Sequence, residues 1–110
     1  MKPPIAVFGS QDLSSGALSL EVDFDYPIRL CQVLLHASTN ISETVQVKYD
    51  SGQGTNYDVI LDSTDLSSES NYVFRPTGMC IIDRNDKFVI TCTNSGGSGT
   101  VYVTVICVPA

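Results

Sequence analysis

Apolar and polar side chains alternate along most of this chain with a period of two, the signature of strands that bury one face. In "TVQVKY", Val45, Val47 and Tyr49 fall on one side and Thr44, Gln46 and Lys48 on the other. "NYDVILD" places Tyr57, Val59 and Leu61 together, with Ile60 breaking the polar side, and "KFVITC" aligns Phe88, Ile90 and Cys92. Further candidates are "LSLEVDF", "IRLCQVLLH", "NYVFR" and "MCIID". Each closes on Pro, Gly, Asn, Asp or Ser, and the total comes to about eight strands.

The last strand departs from simple amphipathicity. In "TVYVTVICV", Val101, Val103, Val105 and Cys107 form one face, while Tyr102, Thr104, Ile106 and Val108 form the other. If the first lines a core, then Tyr102, Ile106 and Val108 point outward, where contiguous apolar surface signals a partner. Leu34 and Leu35 raise the same issue, because adjacent residues cannot both face one core without a bulge. Two strands with a surplus apolar face suggest packing between subunits. Cover by an N-terminal arm or a loop of the same chain is the alternative.

Turn chemistry fits an all-β chain. "DSGQGTN" and "NSGGSG" each carry two or more glycines and suit hairpin loops. "DSTDLSSESN" has room for one short helical turn, capped by Asp62, Ser63 or Asp65. Helices find no other place. The expected fold is a single-domain antiparallel β-sandwich of jelly-roll type, since a parallel sheet would need helices between its strands. Residues 1–16 read differently, with Pro3, Pro4, Gly9 and Gly16 around the apolar Ile5, Val7 and Phe8. They predict an N-terminal arm that pairs at a sheet edge or reaches a neighbour, preceding a sandwich domain over residues 17–110.

Composition narrows the partners. The 110 residues include only 16% charged side chains, and 6 basic against 12 acidic residues leave a net charge of −6. Such a balance repels phosphate backbones and anionic lipid head groups, so neither nucleic acid nor a membrane is expected as partner. The opening "MKPPIAVFGSQD" is too short and broken for a secretory signal, which predicts a cytosolic chain with reduced cysteines. Cys31, Cys80, Cys92 and Cys107 contain no C-x-x-C pair. They read as small core hydrophobes, not metal ligands.

Candidate chemistry is sparse. His36, the one histidine, ends an apolar strand and reads as filler before it reads as a general base. "GGSGT" lacks the closing glycine of a nucleophile elbow, and no phosphate-binding loop is present. Asp23 and Asp25 share strand parity as a glycosidase pair would, but so do most carboxylates two positions apart. Asp50, Asn56 and Asp58 flank a glycine loop without EF-hand spacing. Asn40 opens an N-x-S acceptor that matters only in a secreted chain. No catalytic residue, cofactor or metal site is expected. Five tyrosines keep a glycan-binding module of a phage tail or cell-surface protein open as a second function.

The run from "DSGQGTNYDVILDSTDLSSESNYVFRP" through "IIDRNDKFVITCTNSGGSGTVYVTVICV" resembles small β-sandwich structural proteins of tailed bacteriophages, among them capsid decoration (cement) proteins and neck or tail components. The likeness spans the C-terminal two-thirds. It lies in a hairpin with a Gly-rich loop and "YDVIL", an Asp-Arg-Asn-Asp turn before "FVIT", and an N-x-G before a valine-rich last strand. The resemblance implies a non-enzymatic virion protein assembled in the bacterial cytoplasm, a dimer or trimer seated on the major capsid protein or another virion protein. Pro3, Pro4, Ile5, Val7, Phe8, Tyr102, Ile106 and Val108 are the residues expected to make those contacts.

Overall fold

A strand that hides alternate residues needs a second sheet to hide them against, and the chain supplies two. The computed structural model describes residues 3–110. Its strands are β1 (Ile5–Asp12), β2 (Leu18–Val22), β3 (Ile28–Ile41), β4 (Thr44–Asp50), β5 (Val59–Asp65), β6 (Glu69–Phe74), β7 (Ile81–Ile82), β8 (Lys87–Cys92) and β9 (Thr100–Pro109). One sheet runs β1-β9-β3-β6, with β7 pairing the start of β3; the other runs β2-β8-β4-β5. Every pairing is antiparallel. Successive strands cross between the sheets except at β4–β5 and β6–β7, the interleaved order of two Greek keys, which makes this a jelly-roll sandwich. The two-residue β7 is the addition to the expected set.

The core lies between the sheets and is built from the predicted parities. Val101, Val103, Val105 and Cys107 of β9 are buried, as are Val45 and Val47 of β4 and Phe88, Ile90 and Cys92 of β8. Strand β3 brings Leu30 and Leu35, which differ in parity, to the same core by a bulge: its register to β9 slips between Leu30 and Gln32. Cys31 absorbs the extra position, so Leu35 turns inward and Leu34 outward.

Three local expectations differ from what is found. Residues 62–65 form no helical turn but continue β5, because their side chains bond across to β4: Thr44 Oγ1 donates to Asp65 Oδ1 at 2.7 Å and Gln46 Nε2 to Ser63 Oγ at 3.3 Å. Among the described residues, the one helical element is a 3-10 turn at Thr55–Tyr57. Tyr57 and Val59 are not core residues; Val59 is 52% exposed. A register slip between Val47 and Lys48 makes Leu61 the extra residue, and β5 is an edge strand whose start extends past the core. Finally, Asp23 and Asp25 follow the end of β2 in a loop, so they share no strand face.

Residues 5–12 are an integral strand. β1 pairs with β9 over its whole length, from Ile5 opposite Cys107 to Asp12 opposite Thr100. Of the two roles expected for the N-terminal segment, these residues take pairing at a sheet edge.

The loop between β8 and β9 is fixed by a buried carboxylate. Glu43, in the two-residue link between β3 and β4, is 4% exposed. Its Oε1 accepts from Thr93 Oγ1 (2.7 Å), Ser95 N–H (2.8 Å) and Ser95 Oγ (2.8 Å), and its Oε2 from Gly96 N–H (2.7 Å). Burial pushes this carboxyl's pKa up, but the donors from Thr93, Gly96 and Ser95 together outweigh burial and hold it below the ordinary 4.5. The net effect keeps a charge inside the fold where its hydrogen bonds are needed.

Candidate interaction surface

In a sheet, residues directly opposite one another share a face, so the register reads out the exterior of the five-stranded sheet row by row. One row runs Phe8–Thr104–Leu34–Val73 across β1, β9, β3 and β6. The next is Ser10–Tyr102–His36–Asn71. On the other side lie Ala6–Ile106–Gln32, and then Val108–Arg29–Ile81. Phe8 is 72% exposed and Tyr102 and Val73 are each 51% exposed. Met79 and Ile81 extend the apolar surface past β7. An apolar side chain at the centre of a sheet's solvent face is costly to leave wet when polar β-formers such as Thr would serve.

Three shallow hollows score this face. The first is bounded by Phe8, Ser10, Tyr102 and Thr104, the second by Leu34, His36, Asn71, Val73 and Tyr102, and the third by Arg29, Met79, Ile81, Val108 and Pro109. Tyr102 and Thr104 line both of the first two.

Charge on the face is segregated along the strands. Arg29 and Arg75 lie at the end where β9 finishes, and Arg75 Nε donates to Gln32 Oε1 at 3.2 Å. Asp12 and Glu69 lie at the opposite end, beside Thr100 and Ile41. Ser14 donates its hydroxyl (2.7 Å) and its N–H (3.0 Å) to Asp12 Oδ1, and those bonds hold the Asp12 carboxyl below its usual range. Between the two ends the rows carry no Asp, Glu, Lys or Arg; His36 Nδ1 lies 2.9 Å from Asn71 Oδ1. Among the described residues no nucleophile is hydrogen-bonded to His36.

The structure distributes the predicted contact residues as follows. Phe8, Tyr102, Ile106 and Val108 lie together on this outer face. Ile5 and Val7 share the inward parity of Cys107 and Val105, and Val7 packs against the core. Pro3 and Pro4 are exposed ahead of β1. Sequence reasoning missed Val73, Met79 and Ile81. The signal was present for Val73, which alternates with Tyr72 and Phe74, but parity alone does not say which set faces water.

Other polar clusters are internally satisfied. Asp58 accepts the Ser51 N–H at 2.8 Å and faces Lys48 Nζ at 3.9 Å. Asp86 accepts the Gly52 N–H at 2.8 Å and the Asp83 N–H at 3.2 Å, closing the glycine loop against the β7–β8 turn. Among the described residues, no group of three or more His, Cys, Asp or Glu is placed to hold a metal ion, and all four cysteines are free thiols.

No protein-family model matches the chain, and no curated protein matches it. Among solved structures it is similar to the Drosophila NLP-core, a crystal structure described for its insight into pentamer formation and histone binding. The two share 14% identity over 94% of this chain and 97% of that one, with a TM-score of 0.46. A likeness at that level carries no inference about partner or assembly for this chain.

Proposed function

We propose that this protein is a non-enzymatic structural subunit that works by protein–protein contact through the outer face of the five-stranded sheet. Its setting is a phage virion, where it acts as a capsid decoration protein on the major capsid protein or another virion protein, after assembly in the host cytoplasm. The observation that carries the contact reading is the row Phe8–Thr104–Leu34–Val73 with Tyr102 beside it: each of the four strands puts an apolar or aromatic side chain on a face turned to solvent, with Thr104 as the polar interruption. The virion setting rests on the sequence resemblance of the C-terminal two-thirds. A net charge of −6 suits an external position away from packaged nucleic acid.

Light scattering on the purified chain tests the contact reading. The wild type is expected above the monomer mass of 11.9 kDa, and Tyr102→Glu or Ile106→Glu is expected to bring it down. A wild-type monomer indifferent to both substitutions removes self-association through this face. Glycan-array binding that Tyr102→Ala abolishes would replace the structural role with a glycan-binding module.

A further inference from the structure

The jelly roll leaves four sheet edges open: β1 and β6/β7 on one sheet, β2 and β5 on the other. Open edges invite unwanted pairing, and proteins blunt them with charge, proline, bulges or short length. Three of the four are blunted here. β2 has five residues and carries Glu21, paired to Lys87 at 2.6 Å. β5 has its bulge at Leu61 and carries Asp62 and Asp65. β6 begins with Glu69 and is followed by Arg75 and Pro76, and β7 is two residues long. β1 is blunted only at its ends, by Pro3 and Pro4 ahead of it and Asp12 as its last residue; Ile5–Gln11 between them hold no charge, no proline and no register shift.

We propose that the free edge of β1 pairs antiparallel with β1 of a second copy, about a twofold axis at Phe8, joining two five-stranded sheets into one. This rests on the contact reading above and names the partner. Three observations select a second copy. The outward residues of β1 are symmetric in size about Phe8: Ala6 and Ser10 flank it, so a dyad sets Phe8 against Phe8 with room for both rings. On the inward face the same dyad sets Val7 against Gly9, a branched side chain opposite none. Antiparallel pairing also keeps the two Asp12 carboxylates at opposite ends of the ribbon. In a chain of net charge −6, two copies can therefore meet along β1 without opposing like charges. The apolar row then continues through the dyad, from Val73 of one copy to Val73 of the other.

Sedimentation equilibrium on the full chain tests the pairing. The wild type is expected at twice 11.9 kDa. Phe8→Glu, at a side chain exposed enough to leave the fold intact, is expected to raise the dimer dissociation constant at least about 10-fold. An equimolar mixture of Phe8→Glu and Phe8→Lys is expected to restore the dimer, which only a self-opposed position 8 achieves. Amide exchange along β1 is expected to slow as protein concentration rises. A wild-type monomer, an unaffected Phe8→Glu dimer or a mixture that fails to reassociate each overturns the pairing. Dissociation by Tyr102→Glu with Phe8→Glu inert removes the β1 pairing and keeps the face reading; the converse keeps the pairing and removes the face.

Discussion

Replacing Glu43 by Gln changes one oxygen to an amide and leaves the shape intact, so the effect isolates what the charge and its four donors contribute. Hydrogen bonds to a charged group are worth about 1.5–3 kcal/mol each, against about 1 kcal/mol for a neutral pair. In the variant, one donor faces an NH2 group. If the amide takes the Oε2 side, that donor is Gly96 N–H, and Thr93 Oγ1, Ser95 N–H and Ser95 Oγ bond a neutral acceptor. Because the four share one carboxylate, their losses do not simply add, and we expect about 2–4 kcal/mol in total. Urea unfolding is the assay. With a slope near about 2 kcal/mol per molar, the midpoint falls by about 1–2 M while the slope holds. The pH dependence gives a second check. The folded-state pKa of Glu43 lies below the ordinary 4.5, so its stabilisation is fully present above 4.5 and is lost as pH falls through the folded value. The gap between wild type and Glu43→Gln should therefore close in acid. A variant within about 0.5 kcal/mol of wild type at neutral pH would refute the claim that this carboxylate anchors the β8–β9 loop.

Two further outcomes follow from particular residues. Gly99 has φ +83, and a Cβ there would sit 2.6 Å from Thr39 Cγ2, so Gly99→Ala should cost about 1–3 kcal/mol and lower the melting temperature by about 4–13 °C; an unchanged melt would show that the turn relaxes freely. Burial pushes the Cys92 and Cys107 thiols up to about 11, so at pH 8 only about one in a thousand is thiolate. Mass spectrometry after alkylation of the native protein should find both unlabelled until denaturant is added, and rapid native labelling of either would contradict their burial.

The period-two pattern made the sandwich legible wherever a strand lies centrally in its sheet. β9, β8 and β4 have neighbours on both sides, so every inward residue meets the opposite sheet, and their parity reads directly from the sequence. β5 was misread at Val59 because it is an edge strand with a bulge, and both features depend on its partner β4. "DSTD" looks like a helix start for its capping residues, yet the same hydroxyls and carboxylates serve equally well across a strand pair. Tyr102, Ile106 and Val108 were legible as a surplus face because three apolar residues shared the wrong side of one strand. Val73, Ile81 and Met79 were not, since their membership depends on three strands being brought side by side. Glu43 was invisible for a related reason: nothing local marks it, and its donors lie some fifty residues onward, at Thr93, Ser95 and Gly96.

The central position of β9 has a consequence for how the chain is made. Val7 pairs with Val105, and β9 lies between β1 and β3, so a ribosome adding about 5–20 residues per second leaves β1 without its lasting neighbour for about 5–20 s. During that interval the uncharged ribbon "IAVFGSQ" is at its most adhesive. On a polysome, where nascent chains crowd together, the same stickiness gives sibling copies an opportunity to meet before either has closed its sandwich.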